Sequence, residues 1–215
     1  MVWICNPNNL TGTMVSHSEL EYFLRLPPPH VLVVVDEAYS DYVTHNDYPG
    51  EHRLLKNYPN LVLLRTFSKI YGLASMRIGY GIGHPDVIRT INQVREPFNT
   101  SRFAQAAALA SLEDQAFVER CHMHNQIGIT QLRSEFDYMG LSYFEAHGNF
   151  ILVDVQRPSK AMFDEILKRG VIIRGGGHAL GFPTHIRVTV GNVEQNNKFL
   201  RSLREVMLML PSYEE

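Results

Sequence analysis

The 215 residues are 45% apolar and 20% charged, the balance of a globular protein, and suffice for one large domain or two small ones. Twenty Lys and Arg against 22 Asp and Glu give a net charge of −2, with both signs spread along the chain, so nothing points to nucleic acid or to an anionic membrane surface. No apolar run approaches a membrane span, no basic-then-apolar leader is visible, and Cys5 and Cys121 have no motif spacing, so free thiols and a cytoplasmic setting are expected.

Residues Val2–Cys5 read as a short strand that opens into a dense turn segment, Asn6-Pro7-Asn8-Asn9-Leu10-Thr11-Gly12-Thr13. Ser16-His17-Ser18-Glu19 has capping-box spacing, Leu20, Phe23 and Leu24 continue with helical period, and Pro27-Pro28-Pro29 closes that helix. Val31–Val35 is continuous and β-branched, as a strand buried on both faces of a parallel sheet should be, and Asp36-Glu37-Ala38-Tyr39 follows at its carboxyl end. A helix-sized gap separates it from the next apolar run, Leu61–Leu64, so those two strands should run parallel. The link from Leu64 to the strand Ile78–Ile82 is too short for a crossover helix, which makes that strand antiparallel.

Pro85 opens a helix through Val94, Pro97-Phe98-Asn99 breaks it, and Ser101 caps an alanine-rich helix from Phe103 to Leu112. Asp114–Met139 is long and amphipathic and should lead out of the sheet domain. From Leu141 the pattern becomes strands at Tyr143-Phe144, Phe150–Val155, Val171–Ile173 and Ile186–Val190, with helices near Ala161–Lys168 and Glu194–Leu210. The expected organisation is therefore a sheet domain over 1–113, a connecting helix over 114–140 and a small α/β domain over 141–215.

Ligands of open α/β sheets collect at the carboxyl ends of strands, so Asn9, Asp36, Tyr39, Thr66 and Lys69 should converge on one edge. An antiparallel last strand returns Arg77 to that edge. Thr66, Ser68 and Arg77 supply hydroxyl donors and a bidentate cation suited to a phosphate. A lysine that loses its proton in a partly desolvated pocket can form a Schiff base with an aldehyde, and Lys69 lies among these residues. Pyridoxal 5'-phosphate carries both groups.

Two other features lean towards structure. Cys121-His122-Met123-His124 places ligand types at neighbouring helical positions that cannot all face one ion, so no metal is expected. Gly175-Gly176-Gly177 opens no clear helix and reads as a mobile loop rather than a phosphate cradle.

Taken together, Asn6-Pro7-Asn8-Asn9-Leu10-Thr11-Gly12, Asp36-Glu37-Ala38-Tyr39, Ser68-Lys69 with Gly72-Leu73 and Arg77-Ile78-Gly79-Tyr80, and Ile186-Arg187-Val188-Thr189-Val190-Gly191 resemble the fold-type I, pyridoxal-phosphate-dependent aminotransferases. The likeness is greatest to the histidinol-phosphate aminotransferases. It implies an incomplete, mostly parallel sheet of the large cofactor-binding domain, with one antiparallel strand, followed by a small C-terminal α/β domain. It also implies roles: Lys69 holds the cofactor and shuttles a proton, Asp36 pairs with the pyridine nitrogen, and Tyr39 and Asn9 bond the ring's phenolic oxygen. Thr66, Ser68 and Arg77 would hold the cofactor phosphate, Arg187 the substrate carboxylate or a group in its place, and Arg174 the phosphate of a phosphorylated substrate.

The function implied by this resemblance is ping-pong amino transfer in a homodimer, from a small-molecule amino donor to a 2-oxo acid. Histidinol phosphate and 2-oxoglutarate are the favoured pair, in histidine biosynthesis. Other amino-acid aminotransferases, aromatic-specific ones included, share the four motifs, as does a related phosphate-substrate decarboxylase. A non-catalytic fragment or a ligand-sensing module is the reading from another class.

The chain departs from the family in two places. Leu10 stands where proline usually follows the asparagine, and a cis bond before leucine costs about 2.5–4 kcal/mol, so a trans or strained Asn9–Leu10 bond and a slightly displaced Asn9 are expected. The 215 residues also correspond only to the later part of the family's length, without the segment that carries a glycine-led helix start, a ring-stacking aromatic and several strands. Uncovered edges or faces at the Val31 and Leu61 strands, weak cofactor binding and poor turnover by the isolated chain are the corresponding expectations.

Overall fold

The computed structural model describes residues 1–48, 51–175 and 181–213. It divides into two compact units, Met1–Asn9 with Met14–Cys121, and Leu10–Thr13 with His122–Glu215.

The first unit is built on a four-stranded sheet of β1 (Val2–Cys5), β2 (Val33–Asp36), β3 (Leu61–Thr66) and β4 (Gly79–Gly83), in that spatial order. β1, β2 and β3 are parallel, with Cys5 beside Asp36 and Asp36 beside Leu64. β4 is antiparallel and starts with Gly79 opposite Thr66. The carboxyl ends of three strands and the start of the fourth therefore share one edge, as the chain order predicted.

Between the strands run α1 (His17–Leu24) and α2 (Glu51–Asn57), with single 3-10 turns at Ser40–Tyr42 and Ala74–Met76, and α3 (Pro85–Val94) and α4 (Arg102–Glu113) follow β4. Local chemistry sets their starts. Ser16 and Glu19 form the reciprocal capping box, Pro85 occupies the first turn of α3, and the Ser101 hydroxyl accepts from the Ala104 amide.

The apolar runs behave as strands covered on both sides: Val33, Val34, Val35, Leu61, Val62 and Leu63 are all buried. Leu20, Leu24 and Leu54 complete the core on the face of Val33, Val35, Leu61 and Leu63. The expectation of uncovered Val31 and Leu61 strands is thus corrected, because β1 and β4 flank them. Exposure falls on the outer strands instead, at Trp3, Tyr80 and Ile82.

The boundary between units falls inside α5 (Gln115–Tyr138). The second unit contains β5 (Phe150–Asp154), α6 (Ser159–Lys168), β6 (Arg174–Gly175), β7 (His185–Thr189) and α7 (Val193–Met209), with an antiparallel sheet in the order β5-β7-β6. Its core gathers Leu132, Phe136, Ile151, Val153, Met162, Ile166, Ile186 and Leu203. Tyr143 adds a single bridge to Val153 rather than a strand.

Val171–Ile173 does not join the ladder, contrary to its β-branched appearance. Gly170 takes a left-handed backbone (φ +71°), and the Gly170 and Val171 amides remain bonded to the Leu167 and Ile166 carbonyls of α6. The chain is held to the helix end and first pairs with β7 at Arg174. Gly175 closes β6, while Gly176 and Gly177, part of the expected loop, lie outside the described residues. Among the described residues no helix is long and apolar enough to cross a membrane.

Candidate active site

The loop after β1 is fixed by buried polar contacts. Asn6 is buried, and its side chain accepts from the Val15 amide (2.9 Å) and donates to the Val15 carbonyl (3.2 Å). The Tyr48 hydroxyl donates to the Asn6 carbonyl at 2.7 Å. The Cys5 thiol donates to the Pro7 carbonyl and accepts from the Asn9 amide, both at 3.3 Å. Burial pushes that thiol above its ordinary value, and the nearby Asp36 charge adds to the effect. Asn6–Pro7 is the cis bond among the described residues, so Asn9–Leu10 is trans.

At the end of β2 the Asp36 carboxylate accepts from the Ala38 amide at 3.0 Å, an Asx turn that bends the chain out of the sheet. Tyr39 follows, with its ring buried. At the end of β3 the Thr66 hydroxyl accepts from the Ser68 amide at 3.0 Å, the equivalent turn for a hydroxyl. Lys69 comes next, and its Nζ stands 4.9 Å from the centroid of the Tyr39 ring, within cation–π range.

Arg77, just before β4, has a left-handed backbone (φ 53°, ψ 49°). Its Nη1 donates to the Ala74 carbonyl at 2.9 Å and to the Ser68 hydroxyl at 3.3 Å. A cleft of about 380 Å³ opens there, lined by Arg65, Thr66, Ser68, Arg77 and Tyr80 among others. The close approach of β4 to β3 depends on Gly79, where a Cβ would stand 2.6 Å from the Arg65 carbonyl oxygen.

The remaining two predicted residues lie in the second unit. Arg187 on β7 is half-buried, with its guanidinium 4.6 Å from the centroid of the Phe150 ring. Arg174 on β6 is its direct cross-strand partner and is exposed. A separate cleft of about 440 Å³ in this unit is lined by Val171, Ile172, Val190, Gln195, Asn196 and Lys198 among others, and by none of the predicted site residues. Among the described residues no group of three or more His, Cys, Asp or Glu side chains could hold a metal ion.

Residues 1–203 match the family model for aminotransferases of class I and II. The chain belongs to this family. This aminotransferase chain is 51% identical over 207 residues to the histidinol-phosphate aminotransferase of Anoxybacillus flavithermus, covering 96% of the chain and 56% of that relative. The histidinol-phosphate aminotransferase of Bacillus subtilis strain 168 is 50% identical over the same length, with 57% of it covered. The chain thus spans just over half the length of these curated relatives. Among solved structures, histidinol-phosphate aminotransferase from Sinorhizobium meliloti in complex with pyridoxal-5'-phosphate superposes with a TM-score of 0.87 at 28% identity, over 97% of this chain and 57% of that one.

Sequence reading passed over Glu37 and Arg65, each of which adjoins a predicted site residue. Arg65 Nε donates to Glu37 Oε2 at 2.9 Å, and the Glu37 side chain is 1% exposed. The available signal was opposite charge on neighbouring parallel strands, which becomes visible only once the register is known.

Proposed function

We propose that Lys69 of this aminotransferase chain carries pyridoxal 5'-phosphate and that the protein transfers an amino group from histidinol phosphate to 2-oxoglutarate. The observation that carries the reading is the arrangement around Lys69. Its amine lies over the Tyr39 ring, and the preceding Ser68 joins Thr66 through its amide and Arg77 through its hydroxyl. That donor set fits a phosphorylated aldehyde, since it combines a guanidinium and two hydroxyl residues lining an open cleft with a primary amine on the residue next to Ser68.

When bound, the cofactor supplies a ring that accepts electrons from the substrate's α-carbon. Lys69 supplies the amine that takes a proton at that carbon and returns one to the acceptor. Asp36, turned at the end of β2, supplies the negative charge that keeps a pyridine nitrogen protonated. Asn9 and Tyr39 are assigned to the ring's phenolic oxygen. Thr66, Ser68 and Arg77 are assigned to the cofactor phosphate, Arg187 to the substrate's carboxylate or a group in its place, and Arg174 to the substrate phosphate.

Arg174 and Arg187 occupy paired positions on β6 and β7, which brings two cationic residues to one place in the sheet and supports a multiply charged, phosphorylated substrate. A cytoplasmic, homodimeric protein completes the reading. Free Cys5 and Cys121 support the compartment, and the strongly exposed Val94, Phe98 and Phe103 support a covering partner.

The test is to add pyridoxal phosphate, reduce with borohydride and map the pyridoxyl mass by peptide mass spectrometry, then follow the absorbance change on adding histidinol phosphate. Label on Lys69 with donor-dependent spectral conversion is expected. Label without conversion by any amino donor points to a ligand-sensing module, and no label on Lys69 overturns the reading.

A further inference from the structure

We propose that Glu37 and Arg65 are positioning residues that clamp the ends of β2 and β3 from behind and so fix the Asp36 and Lys69 turns, an inference that rests on the cofactor reading above. The register places Asp36 beside Leu64, and strand alternation puts Asp36, Leu64 and Thr66 on one face of the sheet edge. Glu37 and Arg65 occupy the next positions and therefore the opposite face. The Glu37 amide donates to the Leu64 carbonyl at 2.9 Å, carrying the parallel ladder one residue past Asp36. On the far face the Arg65 Nε–Glu37 Oε2 contact of 2.9 Å closes the same step through side chains.

The contact is buried at its acidic end, while its basic end reaches the cleft at the sheet edge. The Glu37 side chain is 1% exposed and that of Arg65 is 26% exposed. Tyr80 is the cross-strand partner of Arg65 on β4, and Phe67 packs at 5.1 Å on Tyr71 and 5.7 Å on Tyr80. Burial raises the Asp41 carboxyl and the Tyr71 hydroxyl above their ordinary values, while the Arg65 charge pulls both back down. Arg65 thus pairs directly with Glu37 and acts on Asp41 and Tyr71 through its charge alone.

A buried ion pair of this kind contributes geometry more than stability. Replacing both partners with apolar residues of similar size is often neutral, whereas removing one leaves the other charge stranded. Geometry matters here because Tyr39, two residues beyond Glu37, is the ring beneath the Lys69 amine, and Lys69 is four residues beyond Arg65. If the clamp opens, β2 and β3 can shift against each other by a fraction of an ångström, and misplacement of about 1 Å can cost a reacting pair around 100-fold in rate.

The test uses the full 215-residue chain and its Glu37→Met/Arg65→Met double variant, with Glu37→Gln and Arg65→Met as singles. Three quantities are measured: the melting curve, amide exchange in residues 36–39 and 66–69 against the core strand residues 33–35, and the rate of borohydride-trapped pyridoxyl label on Lys69. The double variant should melt close to the wild type while exchanging faster at 36–39 and 66–69 only, and should label Lys69 about tenfold more slowly or worse. Either single variant should melt lower than the double, because it strands a charge. Wild-type exchange and labelling in a folded double variant would overturn the inference and leave the cofactor reading standing. Absence of label in the wild type would sink the cofactor reading, while unchanged exchange in the double variant would still refute the clamp by itself.

Discussion

Arg174 and Arg187 stand directly opposite each other across the β6–β7 ladder. Like charges in directly opposed positions weaken a sheet, and an anion held by either residue would offset that. Arg174→Ala should weaken binding of histidinol phosphate about 10- to 100-fold, the worth of a charge-assisted contact, and change binding of unphosphorylated histidinol by less than about twofold. The melting temperature should stay level or rise. Calorimetric titration of both ligands decides it: an equal loss for the two would remove Arg174 from the phosphate's side.

Arg77 combines a left-handed backbone with a guanidinium directed to Ser68. A non-glycine residue in that conformation costs about 1–2 kcal/mol, so its side chain is kept at the expense of the fold. Arg77→Gly should leave the melting temperature unchanged or higher while pyridoxal phosphate binds at least about tenfold more weakly. Arg77→Ala should lose the affinity without gaining the stability, because alanine keeps the backbone cost. Fluorescence titration of the cofactor beside thermal melts separates the two effects, and full cofactor affinity in the glycine variant would show that the head group does not hold the phosphate.

Much of this arrangement is legible in the sequence. The β-branched run at Val31–Val35 announces an interior parallel strand because no polar residue interrupts it, and Val33, Val34 and Val35 are buried. The short link before Ile78 sets the sense of β4 by length alone, which is why Arg77 returns to the correct edge. Ser16 and Ser101 are readable as caps because their partners lie within three residues. What escapes is decided at long range. Val171–Ile173 has strand composition, yet the helix-end geometry at Gly170 keeps it off β7. Glu37 and Arg65 are separated by 28 positions, so their pairing is invisible without the register.

Gly79 shows the same dependence on register. It faces Thr66, and a methyl group there would meet the Arg65 carbonyl oxygen at 2.6 Å, inside any real contact distance. The obstacle is backbone, which cannot swing aside as a side chain would. Gly79→Ala should therefore destabilise the chain by about 1–3 kcal/mol, the range for forced overpacking. Urea unfolding monitored by circular dichroism gives the number, and a loss below about 0.5 kcal/mol would mean that β4 can move away from β3 at little cost.

Asp41 gives a prediction with a sign in pH. Burial raises its carboxyl above the ordinary aspartate value, with Arg65 opposing the shift. The folded chain therefore holds this proton more tightly than the unfolded chain does. The favourable contribution is present below the unfolded-state pKa and is lost as pH rises through the folded-state value, where an ionised carboxylate must be kept in a partly dehydrated place. An asparagine amide in the same place carries no charge at any pH. Asp41→Asn should accordingly be the more stable protein at about pH 7, and its advantage should shrink towards about pH 4, as Asp41 of the wild type takes up its proton. Urea midpoints of the two proteins across that interval test the sign. A wild type that is more stable at neutral pH would mean that the attraction of Arg65 outweighs burial, and that the Asp41 carboxylate is held as a third member of the Glu37–Arg65 pair.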